Sequence, residues 1–378
     1  MRLVAAVLLA MLILFGGTVS RAEDPPPPWQ GVWRGTIGDL PVQACLNHRD
    51  YADQGAYFYL SHKTIIPLGA IDKAGTATVW SEAPDSDKKA EGPLWTLSPA
   101  KGDALSGEWR MKTKALSIRL IRVASKNEDN GPCSGLAFNA PRITPITIAR
   151  KPAVKDGVAY TRLIANVGKQ FDATLESFEM PGATPAEQKI NARLRKLLPT
   201  RGEGSEYLEC SMANIASTGY DGDYMDVTAP TMITRRWLVW VQSSATTCGG
   251  AHPDAGQTST VVDRQTGEIV TLWRWFTPSA AKREEPGRDR DAVYEVQPPL
   301  LRAILARTGR QEKECREAIE DQTFWDIALT RRGFGFTPEL PHVVQACADQ
   351  IVLPYAAAAP FLTAAGKAVV ASVTQDLH

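Results

Sequence analysis

The chain has 378 residues, 44% apolar and 22% charged, with 42 basic and 42 acidic side chains that cancel. That length exceeds one ordinary hydrophobic core, so two or three domains are expected. A net charge of zero gives no bulk attraction to nucleic acid or to an anionic membrane surface, and neither is expected as a partner.

Residues 1–22 read as a signal peptide. Arg2 supplies the positive start, Leu3 to Phe15 the apolar run, and Ser20, Arg21 and Ala22 a small-x-small cleavage site. The run is too short for a comfortable span, and no cysteine follows it to carry a lipid. The mature chain is expected to begin near Glu23 with a stiff proline-rich leader at 23–28, outside the cytoplasm, periplasmic or secreted, with no transmembrane segment.

Cysteine usage agrees with export. The six cysteines, Cys45, Cys133, Cys210, Cys248, Cys315 and Cys347, are an even number and allow fifteen full pairings. Closing each loop inside one structural unit favours Cys45 with Cys133, Cys210 with Cys248 and Cys315 with Cys347, each bridge stabilising by roughly 3 to 5 kcal/mol. No C-x-x-C spacing points to zinc or thiol redox chemistry, and no metal or cofactor is expected.

Residues 29–145 read as an all-β domain. Trp29, Gly31, Trp33 and Gly35 alternate, Ala56 to Leu60 is an aromatic strand, Gly107 to Trp109 opens a late hairpin, and Leu116, Ile118 and Leu120 repeat with period two. Six to eight short strands in an antiparallel sheet or barrel follow. Tyr57 and Tyr59 share a strand face and are candidates for stacking on sugar rings; the plainer role is core or rim of the barrel. His48 and His62 have no partner at metal-ligand spacing and read as surface or hydrogen-bonded histidines. Residues 124–152 form the joint, where Gly131, Pro132, Pro141, Pro145 and Pro152 are expected to prevent helix.

Residues 153–372 read as α+β with an antiparallel sheet. Val158 to Val167 and Gln170 to Met180 alternate as strands, and Thr184 caps a helix over Ala186 to Leu198. Cys210 to Ala216, Met225 to Ile233 and Trp237 to Ser243 are expected strands. After them come a Gly249–Pro253 corner, a Thr258 to Asp263 strand and a turn at Asp263 to Gly267 that pairs Ile269 to Leu272 back. Pro298 to Thr308 and Glu312 to Glu320 have helical spacing. Gly333 to Pro338, His342 to Ala346 and Ile351 to Pro360 read as extended.

The corner GGAHP, the TSTVVD strand, the TGE turn, the aromatic WF and the late run Pro354, Tyr355, Ala356, Ala357, Pro360 together resemble the RsiV-like domain of unknown function, over about residues 155–370. That domain occurs in a lysozyme-sensing anti-sigma factor and beside peptidoglycan deacetylase domains. The resemblance implies an α+β fold that binds cell-wall-related partners, with no chemistry of its own. Gly250, His252, Asp254 and Tyr355 are the candidate partner-contacting residues.

Searching for chemistry directly yields little. There is no G-x-S-x-G, H-E-x-x-H, phosphate loop or G-x-G-x-x-G, and five histidines at 48, 62, 252, 342 and 378 do not cluster. His252 and Asp254 can be read as an acid–base pair or as corner residues satisfying nearby backbone. Asp221, Asp223 and Asp226 can be read as calcium carboxylates or, through Asp221-Gly222, as a hairpin turn. Lys282 to Asp291 is a solvated charged loop. The leading expectation is a non-enzymatic exported cell-envelope binding protein for peptidoglycan or a lysozyme-like muramidase. The alternatives are an envelope hydrolase using His252 and Asp254, and a structural envelope assembly protein.

Overall fold

The computed structural model describes residues 26–49, 52–74, 77–84, 92–124, 131–284, 293–308 and 313–377. The signal peptide expected at 1–22 lies outside them, as does most of the charged loop read at 282–291.

Eight strands open the fold: β1 (Gly31–Ile37), β2 (Leu40–Asn47), β3 (Gln54–Tyr59), β4 (Ile66–Ala74), β5 (Ala77–Ser81), β6 (Leu94–Leu97), β7 (Ala104–Met111) and β8 (Lys114–Ala124). Each pairs antiparallel with the next, and β8 returns to β1, so the sheet closes into a barrel without free edges. Gly107 to Trp109, expected to begin a hairpin, lie within β7. The tryptophan–glycine alternation of β1 has a physical cause. Trp33 fills the interior, while a Cβ on Gly35 would fall 1.9 Å from the Arg119 carbonyl oxygen of the neighbouring strand.

The interior is packed with Trp33, Tyr57, Trp80 and Trp95, all at most 1% exposed. Every polar tip is satisfied. Trp33 Nε1 donates to the Trp29 carbonyl at 2.9 Å and Trp80 Nε1 to Thr78 Oγ1 at 3.1 Å. Glu82 Oε1 alone accepts from Tyr57 Oη, Trp95 Nε1 and Trp109 Nε1 at 2.8, 3.0 and 2.7 Å.

The joint is a buried strut. A helical turn α1 (Leu136–Asn139) forms where prolines and glycines were expected to exclude helix, because Pro132 and Pro141 sit in the first turns of flanking 3-10 segments, where no intrahelical N–H bond is lost. Cys133 bonds to Cys45 of β2, as the one-unit pairing anticipated. Phe138 packs on Phe58 of the barrel wall, ring centroids 5.2 Å apart, in a cluster that also takes in Ile215 and Ala216.

The second sheet contains β9 (Thr147–Lys155), β10 (Val158–Asn166), β11 (Asp172–Glu179), β12 (Asp223–Ile233), β13 (Trp237–Thr247), β14 (Asp254–Asp263) and β15 (Glu268–Ile269). It runs β15-β14-β13-β12-β11-β10-β9, antiparallel except for β11 with β12. That parallel pair demands a long crossover, which α2 (Pro185–Arg195) and α3 (Glu206–Thr218) supply. The N-terminus of α2 is the expected one, with Thr184 Oγ1 accepting from Glu187 N at 3.1 Å. Cys210 to Ala216, expected as a strand, lies inside α3. Its boundaries are set by acidic Glu206 and Glu209 in the first turn and by Gly219, left-handed at φ 81°, after the last. A Cβ on Gly219 would lie 2.7 Å from the Gly55 carbonyl oxygen, so α3 ends against the barrel.

Period two in the central strands buries both faces of this sheet. Leu238, Trp240 and Val262 join Ile190 and Leu194 of α2 on one face. Met232, Val239 and Val261 join the carboxy-terminal elements on the other. These elements are β16 (Ala281–Arg283), β17 (Tyr294–Val296), α4 (Pro298–Leu305), α5 (Lys313–Glu320), β18 (Trp325–Leu329), β19 (Gly333–Pro338), β20 (Ile351–Pro354), α6 (Tyr355–Ala358) and α7 (Ala364–Leu377). Three sequence expectations give way here. Leu272 opens a 3-10 turn through Trp275 in place of pairing back, burying Leu272 and Trp275. His342 to Cys347 is a 3-10 helix clipped to α5 by Cys315–Cys347. The strand expected to reach Pro360 stops at Pro354, and the alanine-rich segment after it turns helical, as alanine's propensity favours.

Candidate functional site

At the end of the sheet away from its apolar centre, β12 and β13 change from apolar to polar. Tyr224 and Asp226 share one face of β12, and Gln242 of β13 reaches across to them because it stands one diagonal step from Asp226 in the register. The Lys196–Ser205 loop between α2 and α3 passes over this face and delivers Glu206 at the start of α3. The result is a cleft of about 640 Å³ lined by Glu206, Tyr207, Tyr224, Asp226 and Gln242, with Lys196 and Arg201 on its lining as cations.

The polar groups are arranged as two braced carboxylates. Tyr224 Oη donates to Glu206 Oε2 at 2.5 Å, and Gln242 Nε2 donates to both oxygens of Asp226 at 3.0 and 2.9 Å. Burial pushes the Asp226 carboxyl above its ordinary range; the Gln242 amide opposes the shift and the nearby Glu206 charge adds to it. Burial, then the hydrogen bond and charge of Glu206, raise the Tyr224 phenol, which therefore stays a neutral donor. The Tyr207 side chain is 3% exposed, and its hydroxyl lacks a partner in hydrogen-bonding geometry. With Tyr224 and Gln242 already donating inward, the cleft presents carboxylate lone pairs flanked by cations. That combination suits a ligand with many hydroxyl or amide donors and a few acceptors.

The residues singled out in the sequence fall elsewhere. Gly250, His252 and Asp254 lie at the tip of the β13–β14 hairpin, where Ala251 to Thr258 are exposed throughout, and the base of the tip is pinned to α3 by Cys210–Cys248. His252 does not line the cleft. Tyr355 belongs to the carboxy-terminal layer; its hydroxyl donates to the Thr330 carbonyl at 2.5 Å and its ring meets Phe334 edge-on at 5.4 Å. Tyr57 is 1% exposed inside the barrel, covered by Trp95 and Tyr59 at 4.8 and 5.5 Å, and Tyr59 is half-buried beside it. His48 Nδ1 is 2.5 Å from Asp53 Oδ1.

The aspartates of GYDGDYMD separate in space. Asp221 receives Arg142 and Ser211, Asp223 is exposed, and Asp226 turns into the cleft, so Asp221-Gly222 links α3 to β12 and forms no hairpin. No group of three or more candidate metal ligands occurs among the described residues. The Glu206–Asp226 pair was not anticipated, because Glu206 opens a helix whose Cys210 to Ala216 stretch reads as a strand. The available signal was the Tyr224, Asp226, Thr228 alternation facing Gln242.

No protein-family model matches the chain, and no curated protein matches it. The solved structures similar over much of it include two DUF3298 family proteins. One is a member of the DUF3298 family from Bacteroides fragilis NCTC 9343, at 11% identity and TM-score 0.39, covering 62% of this chain and 98% of that one. The other is a DUF3298 family protein from Pseudomonas aeruginosa PAO1, at 14% identity and TM-score 0.32, covering 58% and 94%. At these scores the likeness carries no argument about this chain's site.

Proposed function

We propose that this is an exported, non-catalytic cell-envelope binding protein whose ligand is a peptidoglycan-type glycan seated in the cleft between α3 and β12–β13. The observation that carries the reading is the braced pair Glu206 and Asp226 in a 640 Å³ cleft with cations beside it. Planar acceptors held at fixed angles are what a sugar's hydroxyl and acetamido donors require, and pre-bracing by Tyr224 and Gln242 lowers the ordering cost of binding. Export is supported by three disulfides, by the signal-peptide pattern of residues 1–22 and by the resemblance to the RsiV-like domain.

Calorimetric titration of the mature, oxidised protein with a soluble tetramer of N-acetylglucosamine, with insoluble peptidoglycan as a pull-down bait, tests the site. Saturable binding that weakens at least about tenfold in Gln242→Ala and Asp226→Asn, each with an unchanged far-ultraviolet circular dichroism spectrum, is expected. Failure of both baits, or equal binding by the variants, refutes it.

A second reading is a lysozyme-like muramidase bound at the hairpin tip. It is favoured by one feature, an exposed Gly250–Pro253 loop tied at its base by a disulfide. Lysozyme capture lost on replacing Gly250–Pro253, but retained in Gln242→Ala, would select this reading over the cleft.

A further inference from the structure

The seven-stranded sheet has an open edge. β15 covers only the last two residues of β14, pairing Ile269 with Val262 and Glu268 with Asp263. The Val261 carbonyl, one residue in, accepts the Val270 N–H at 2.8 Å and so points to the outer side. In an antiparallel strand the N–H and C=O of alternate residues point the same way, so Ser259, Gln257 and Ala255 also present their backbone outward. The Ala255 carbonyl confirms this direction by accepting Gln345 Nε2 at 2.9 Å. Among the described residues, Gln257 and Ser259 have no backbone hydrogen bond on that side. This stretch contains no lysine or proline, the usual devices that stop an edge from pairing.

A second cleft, of about 840 Å³, reaches this edge. It lies over the sheet and opens at the edge: Met225 of β12 and Ser243 to Ala245 of β13 line it together with Ala255 to Thr258 of β14. Its far wall belongs to β18 and the end of β19, where Asp326 and Glu339 contribute carboxylates, and none of its lining residues is lysine or arginine.

We propose that the β14 edge accepts an extended, cationic peptide segment as an added strand, its backbone pairing with Gln257 and Ser259 and a lysine or arginine side chain entering the cleft toward Asp326 and Glu339. The sheet edge supplies the main-chain register, and the acidic wall selects the charge. The cleft shares no lining residue with the glycan cleft, although Met225 and Ser243 stand next in sequence to Asp226 and Gln242.

The test is amide hydrogen exchange and calorimetry of the mature, oxidised protein with a blocked hexapeptide of alternating threonine and lysine, against its threonine–glutamate counterpart. Slowed exchange at Gln257 and Ser259 with the lysine peptide, and at least about tenfold weaker binding of the glutamate peptide, are expected. Gln257→Pro removes the outward N–H without touching the β13 ladder and should abolish binding while leaving the thermal midpoint in place. The double variant Asp326→Asn, Glu339→Gln should erase the preference between peptides, which keeps the proposal testable even where the proline variant folds poorly. Equal binding of both peptides, or no protection at either amide, overturns it. Concentration-dependent dimerisation lost in Gln257→Pro would assign the edge to a second copy of the chain and also overturns it.

Discussion

Replacing Arg142 with methionine should be among the most damaging single changes in this chain. The Arg142 side chain is fully buried in the joint. It donates to the Lys63 carbonyl at 3.2 Å, to Asn139 Oδ1 at 3.2 Å, to Ser211 Oγ at 3.1 Å and to the Gln170 carbonyl at 3.0 Å, and pairs with Asp221. Its guanidinium also lies 4.5 Å from the Phe171 ring centroid. One side chain therefore ties barrel, joint, the loop before β11, α3 and the loop before β12. Burial drives the guanidinium below its usual range and Asp221 opposes the shift, so charge and partner depend on one another. Methionine keeps the length but strands a carboxylate that is 19% exposed, which costs roughly 3 to 5 kcal/mol. Adding Asp221→Asn removes the stranded charge and should reduce the loss to roughly 1 to 3 kcal/mol, the cost of the unpaired carbonyls. Urea titrations followed by tryptophan fluorescence and far-ultraviolet circular dichroism would read this as a midpoint about 1 to 1.7 M lower for Arg142→Met, at an m-value of roughly 3 kcal/mol/M. The two probes, coincident in the parent protein, should separate in the variant as the barrel and the remainder lose their common tie. A single-variant loss under about 1 kcal/mol, or no recovery in the double variant, would refute the reasoning.

Glu82→Leu leaves the Tyr57, Trp95 and Trp109 donors without their shared acceptor and should cost roughly 2 to 5 kcal/mol, while Glu82→Gln keeps an acceptor and recovers most of it. Thermal unfolding followed by near-ultraviolet circular dichroism distinguishes them; a leucine variant within about 0.5 kcal/mol of the parent contradicts the role given to Glu82. Acid stability should depend on Glu179. Burial pushes this carboxyl up, but hydrogen bonds from Arg195 and Arg150 outweigh burial and hold it below the ordinary glutamate range. Its stabilisation is thus full above that range and disappears as pH falls through the lowered folded value, so Glu179→Gln should flatten the acid limb of stability against pH. Asp226 has the opposite sign, since its raised carboxyl disfavours the folded state as pH rises through its folded value. Asp226→Asn should raise the thermal midpoint at neutral pH while weakening glycan binding, and a lower midpoint would show that the Gln242 contact matters more than burial.

Local periodicity made the barrel legible, because eight strands whose inward residues alternate leave their record in sequence as Trp33, Tyr57, Leu97, Ile118 and their neighbours. It also carried α2, whose cap Thr184 and inward Ile190 and Leu194 are all local signals. What was lost depended on distant partners. The segment around Cys210 and Ile215 looks apolar enough for a strand, and only its burial between Phe138 on one side and the sheet on the other makes it a helix. Tyr355 to Ala358 turned helical where the sequence pattern suggested extension, although four consecutive alanines were a local warning. The cleft was invisible because its carboxylates lie 20 positions apart, on a helix start and a strand, and become neighbours only through the parallel β11–β12 crossover. The cysteine pairing was legible because each bridge closes within one structural unit, a rule about chain entropy and not about geometry.

The two ends of the large sheet are unlike. β9 has Arg150, Lys151, Pro152 and Lys155 in or beside its exposed stretch, and Pro152 has no N–H to offer. A strand that joined at β14 would meet, at the opposite end of another molecule, an edge interrupted by Pro152 and lined with cations. The charges and the missing N–H of β9 disfavour head-to-tail stacking of sheets through a strand added at β14.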